Sequence, residues 1–153
     1  MGAKLIELVP RKQLDGFIAK YDPSIAAAAR QILAAMRKRL PGALELVYDN
    51  YNALAVGFGP SEKVSDVVFS IALYPRWISL FFFNGPKLKD PKKLLKGSGS
   101  KVRHIVLESA KSLADPDVGA LMDQALKLNP LNATQKHRIV IKSVSAKQRP
   151  RRP

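Results

Sequence analysis

The sequence predicts an α+β fold, an antiparallel sheet of about five strands with helices packed on it, and three observations carry that expectation. Two helix-start signals, Asp22-Pro23-Ser24 and Asp115-Pro116-Asp117, each precede apolar residues at helical spacing. Between them lie four runs with strand chemistry, 44–51, 54–58, 67–74 and 77–83, joined by short polar or Gly/Pro-bearing links. The chain has 153 residues, 46% hydrophobic and 25% charged, a size and balance suited to one core. We divide it into a domain over 1–135 and a basic C-terminal strand and tail over 136–153.

Residues 11–21 read as a short helix with Leu14, Phe17 and Ile18 on one side. Asp22 then suits an N-cap and Pro23 the first turn, where a missing N–H costs nothing. Ile25, Ala29, Ile32, Met36 and Leu40 line one face of the helix that follows. Arg37, Lys38 and Arg39 close its last turn, where cations favour the helix dipole, and Pro41-Gly42 ends it. The brief Pro75-Arg76 link requires its flanking strands to be antiparallel neighbours. Within 67–74, Val67, Phe69, Ile71 and Leu73 alternate with Val68, Ser70, Ala72 and Tyr74, giving one well-buried and one less apolar face.

Residues 87–100 form a basic loop, with 101–108 as the fifth strand. Val118, Leu121, Met122, Ala125 and Leu126 mark the buried side of a closing helix that Asn129-Pro130 stops. Residues 138–144 offer a last strand for the chain's own sheet or for a partner's edge, the latter giving a tail-mediated dimer. Folding back is the expectation, because native edges tend to be covered. Residues 147–153 carry too little apolar surface to order themselves.

Charge is unevenly placed. Of the net charge of +14, residues 84–104 hold seven Lys and Arg against Asp90 alone, and 134–153 hold seven with no acid. The rest of the chain is nearly neutral, which suits either a polyanion or nucleic acid partner of low sequence specificity, since no base-reading motif is present, or a basic surface that only keeps the protein in solution. Without cysteine there are no disulfides, thiolate metal sites or cysteine nucleophiles, and a reducing, cytoplasmic setting is expected. Residues 1–13 mix Lys4, Glu7, Arg11 and Lys12 into the apolar residues and do not read as a signal peptide. No membrane passage and no cofactor are implied.

Three groups of residues are candidates for chemistry. Gly97-Ser98-Gly99-Ser100-Lys101, with Arg103 and His104, suits an anion, because glycines let backbone N–H groups turn inward while cations supply charge. It lacks the glycine spacing and following helix of a P-loop. Tyr48, Asn50, Tyr51, Asn52, Tyr74 and Trp77 fall at strand ends, where rings and amides can line a shallow pocket for a small molecule. Arg149, Arg151 and Arg152 form a basic tail. Catalytic and metal residues are not indicated. His104 alternates with Val102 and Val106 as a packed histidine would, His137 lies beside the tail, and neither has a sequence-readable Ser or Asp partner.

The stretches Glu45-Leu46-Val47-Tyr48-Asp49-Asn50-Tyr51-Asn52-Ala53, Ala72-Leu73-Tyr74-Pro75-Arg76-Trp77 and Leu95-Lys96-Gly97-Ser98-Gly99-Ser100-Lys101-Val102-Arg103-His104-Ile105 resemble the YdhG-like bacterial family, domain of unknown function 1801. The resemblance spans roughly residues 21–129 and implies that family's compact α+β fold, with helices against an antiparallel sheet. Some members are described as iron chaperones by analogy with frataxin-like proteins, so the resemblance also implies metal handling. The chain departs from that pattern: hard cations need clustered oxygen ligands, whereas its long helix ends in Arg37, Lys38 and Arg39 and its acids are scattered. These observations together suggest an intracellular, non-enzymatic binding module contacting a phosphate-bearing ligand through its basic loop and tail. The alternatives are an iron-chaperone-like or small-molecule binding protein, or a protein-protein interaction domain.

Overall fold

A computed structural model of the chain describes residues 2–153, with side chains from residue 8 onward. Among the described residues, three helices, α1 (Gly2–Ile18), α2 (Pro23–Arg39) and α3 (Pro116–Leu128), accompany six strands. The strands are β1 (Leu44–Asp49), β2 (Leu54–Gly59), β3 (Phe69–Leu73), β4 (Ile78–Phe83), β5 (Val102–Leu107) and β6 (Ile139–Val144). They form one sheet in the order β5-β4-β3-β2-β1-β6. The fold is α+β, with six strands where the sequence suggested about five.

Short links join β1 to β4 into an antiparallel meander, and β5 pairs antiparallel with β4 across the longer basic loop. After β5 the chain returns through α3, about 20 Å long at 13 residues, and this reversal delivers β6 parallel to β1 at the far edge. The 138–144 segment therefore folds onto its own sheet, as the need to cover an edge suggested.

Alternation along the strands gives the sheet two unlike faces. Val47, Leu54, Val56, Phe58, Phe69, Ile71, Leu73, Leu80 and Phe82 form one core with Leu14 and Ile18 of α1, Ile32, Leu33 and Met36 of α2, and Leu121 and Met122 of α3. The other face carries Tyr48, Ala55, Ser70, Ala72, Phe81, Phe83 and His104, several of them half-exposed. Leu44, Leu46 and Val67 cluster apart from the main core, with Tyr48, Phe83 and Val140 packed against them.

Four local expectations need correction. The helix expected over 11–21 is Gly2–Ile18: it runs through Pro10, which removes one intrahelical bond, and ends earlier in tight turns at residues 19–21. Asp22 makes no side-chain cap bond. Its backbone carbonyl accepts the first helical bond from Ala26 N–H, while its carboxylate lies 3.9 Å from Arg152. Val67 and Val68 break the alternation of β3, because residues 64–66 make a 3-10 turn and the strand begins only at Phe69, which puts Val68 in the main core beside it. Finally, 147–153 is ordered by charge pairing rather than by apolar burial. Arg151 is 5% exposed, and Arg149 N–H donates to Tyr51 C=O at 2.9 Å.

The register fixes which links share an end of the sheet. Asp49 pairs with Leu54 and Val144, Leu54 with Leu73, and Leu73 with Ile78. Residues 50–53, 74–77 and the tail after β6 therefore meet at one end. The basic loop before β5 lies at the opposite end, where Phe83 pairs with Val102, about one strand length or 20 Å away. Ending the chain after Thr134 would strip β6 from the edge of β1 and remove partners from two buried carboxylates. We expect that truncated chain to lose its cooperative urea transition by circular dichroism, whereas a free-arm tail would leave the transition in place.

Candidate functional site

β1 places Glu45, Val47 and Asp49 on the helix-facing side, so two carboxylates enter the core layer, both 0% exposed. An isolated buried carboxylate is costly enough that it must be paired or neutralised. Each is paired twice. Arg37 of α2 grips Glu45 with both arms, Nε to Oε2 at 2.7 Å and Nη2 to Oε1 at 2.9 Å, and His137 Nε2 contacts Oε2 from the segment entering β6. Lys20 Nζ reaches Asp49 Oδ2 at 2.9 Å, and Arg151 Nη2 reaches Oδ1 at 2.9 Å from the segment leaving β6. Both ends of β6 are thus pinned to β1 through a carboxylate that also holds an α-layer cation.

Arg151 is the most buried cation of the tail. Its Nη1 and Nη2 also donate to the carbonyls of Tyr51 and Asn50, and its guanidinium carbon lies 5.8 Å from the Tyr21 ring centroid. Its Nε has no hydrogen-bond partner, an exception among the described buried side-chain atoms. Gln148 adds a bond from Nε2 to Asp49 C=O at 3.0 Å. The three tail arginines therefore differ in role. Arg151 points inward, Arg149 is exposed, and Arg152 lies along the surface with Nε on Lys20 C=O at 3.2 Å.

This arrangement frames a groove. Tyr74 and Trp77 stack with ring centroids 4.6 Å apart and 16° between planes, and Trp77 is 44% exposed. Arg76, Trp77, Arg149 and Arg152 border a recess of about 670 Å³. A second recess of about 530 Å³ extends over the open sheet face, floored by Ala55, Ser70 and Ala72 and walled by Phe81. The two share Asn52 and Tyr74. Of the six ring and amide residues singled out from sequence, Asn50, Tyr51, Asn52, Tyr74 and Trp77 meet here, whereas Tyr48 packs near Leu46 and Val140.

The glycine-rich loop lies elsewhere. Gly97 sits at φ +108°, which favours glycine, while Gly99 has no such constraint. Lys96 and His104 exchange both backbone bonds, closing the loop as a hairpin. The Arg103 guanidinium donates to the carbonyls of Gly99 and Val102, so it ties the loop to itself, and Lys101 is exposed. His104 lies on the open face, 5.4 Å from the Phe81 ring. Among the described residues, no group of three or more His, Asp or Glu is placed to hold a metal ion, and no helix is long and apolar enough to cross a membrane.

Sequence reading missed Glu45 and Asp49 as the anchors of the tail. The signal was there: two acids four apart in an otherwise apolar strand share one face, and a tail rich in cations must find counter-charges.

Two outcomes follow from the pairing. Asp49→Ala should destabilise by about 3 kcal/mol, since it leaves the buried Arg151 guanidinium without its carboxylate; Arg151→Ala should cost less, because Lys20 still holds Asp49, and the double variant should cost less than their sum in urea denaturation. The second concerns acid. Burial works against charge on Glu45, but the hydrogen bonds from His137 and Arg37 outweigh it, and at Asp49 the bonds led by Lys20 do the same, so both carboxyls are held below the ordinary range. A lowered folded-state pKa means the unfolded chain binds more protons in acid. The stabilisation is then complete above the unfolded values of about 4 and is lost as pH falls through the folded ones. The urea midpoint should fall steeply below about pH 4, and less steeply in a Glu45→Gln, Asp49→Asn variant that starts from a lower midpoint.

Comparison with known proteins finds no matching family model, no matching curated protein and no matching solved structure.

Proposed function

We propose that this chain is a non-enzymatic binding module for a polyanion or other phosphate-bearing ligand, held at the end of the sheet where the tail crosses the 50–53 and 74–77 links. The observation that carries this reading is the convergence of Arg76, Arg149 and Arg152 on one recess beside an exposed, stacked tryptophan. Arg76 and Arg149 are exposed and form no ion pair among the described residues, so both guanidinium groups are available to a ligand. Guanidinium forks suit phosphate oxygens better than point charges do. Concave space without positive charge would favour a neutral small molecule, but here the arginines border the same groove as the Asn and Tyr residues, which supports an anionic ligand. The glycine-rich loop, about 20 Å away, is a separate basic surface facing the far end of the open sheet face.

Neither histidine favours catalysis. His104 packs beside Phe81, and His137 is engaged by a carboxylate that Arg37 also holds.

Fluorescence anisotropy with labelled oligonucleotides across a salt series tests the reading. If three arginines meet phosphates, log affinity should fall with log salt at a slope of about −2 for single strands and −3 for duplex. Arg76→Ala or Arg149→Ala should each reduce that slope by roughly one. Absence of binding at low salt, or a slope unchanged in both variants, would overturn it.

A further inference from the structure

Resting on that reading, we infer that the ligand is a single-stranded nucleic acid whose bases stack on Trp77 and continue onto the open face of the sheet. One face of the indole is taken by Tyr74, yet the ring is 44% exposed. A half-buried ring stacked on one side makes the indole a shelf, and a flat π-face beside guanidinium groups is the combination that binds unpaired bases irrespective of sequence. A ligand that offered only phosphates would use the arginines and leave this ring in water.

The groove beyond the shelf has the shape such a chain requires. Ala55, Ser70 and Ala72 project little from the sheet, so they leave a channel beside Phe81. Phe81 is half-buried with His104 beside it at 5.4 Å, so a second pair of rings lies along the same face. Asn50 and Asn52 edge the recess, and an amide carries both donor and acceptor, so it can meet the edge of any base without selecting one. Arg76, Arg149 and Arg152 supply cations at the shelf end. The exposed Lys101 follows the Gly97 turn at the other end, so positive charge stands at both ends of the face. Duplex DNA hides its base faces and offers only phosphates to a shelf of this kind, so single strands should be preferred.

Trp77 is the chain's only tryptophan, so its fluorescence reports on this shelf alone. The full chain would be titrated with a single-stranded oligonucleotide, a duplex of equal length and inorganic polyphosphate, and binding of labelled oligonucleotides compared for Trp77→Ala and Trp77→Phe. We expect saturable quenching by the single strand only. We also expect Trp77→Ala to lower single-strand affinity by about tenfold to a hundredfold, Trp77→Phe to restore part of it, and polyphosphate binding to be unchanged. Salt-dependent binding of all three probes without quenching, and unaffected by Trp77→Ala, would overturn base stacking while leaving the polyanion reading intact. No binding of any probe at low salt would overturn both. Circular dichroism of the variants guards the comparison, and Trp77→Phe, which keeps a ring against Tyr74, tests the shelf should Trp77→Ala unfold.

Discussion

Two carboxylates inside the core layer set the terms for the rest of this structure. Glu45 and Asp49 stand four residues apart on the helix-facing side of β1, and neither is accessible to water. Such groups stabilise a fold only when oppositely charged side chains reach them with good geometry, and removing one partner from a buried pair costs more than the pair contributes. The partners come from the two elements that must be brought together. Arg37 and Lys20 belong to the α2 end and the α1–α2 link, while His137 and Arg151 flank β6. The edge position and parallel direction of β6 are thus specified by charge as well as by the β1 ladder. A strand only six residues long, with Ile139 buried and Ile141 half-buried on the core side, has little apolar surface with which to specify its own place.

The same pairing alters the meaning of the chain's charge distribution. Read along the sequence, a nearly neutral body precedes a tail of seven cations with no acid. In three dimensions that body lends acids to three of the tail's arginines: Asp22 to Arg152, Asp49 to Arg151 and Glu62 to Arg138. The tail is therefore less positive in place than in sequence. Arg76 and Arg149 form no ion pair among the described residues, and both border the aromatic recess.

How much of this was legible depended on the range of each interaction. Asp22-Pro23 and Asp115-Pro116 are the same local signal, and both helices start where it predicts. Only Asp115 caps with its side chain, accepting from Asp117 N–H at 2.8 Å, because Asp22 faces an arginine 130 residues further on. The meander from β1 to β4 was readable because its links are short and its alternation is plain, and the slip at Val67 and Val68 was not, since it arises where a 3-10 turn abuts the strand. The ring and amide residues of the groove were visible as types at strand ends. That they meet the tail follows from β6 running parallel to β1, which no pattern inside β6 announces. Arg149, Arg151 and Arg152 looked equivalent in sequence, and only the long-range position of Asp49 separates the buried one from its neighbours.

That separation links the fold to the proposed site. Arg151 is two residues from Arg149 and one from Arg152, so burying its guanidinium against Asp49, Tyr51 C=O and the Tyr21 ring fixes where the other two emerge. A free basic arm would lose its conformational freedom only on meeting a ligand, and that loss would be subtracted from the binding free energy. Here the ordering is completed during folding, by a pair whose stability depends on the same carboxylate that holds Lys20 to the sheet. The recess is consequently pre-organised: Arg149 and Arg152 are held beside the Tyr74–Trp77 stack by a buried charge that does not itself line it.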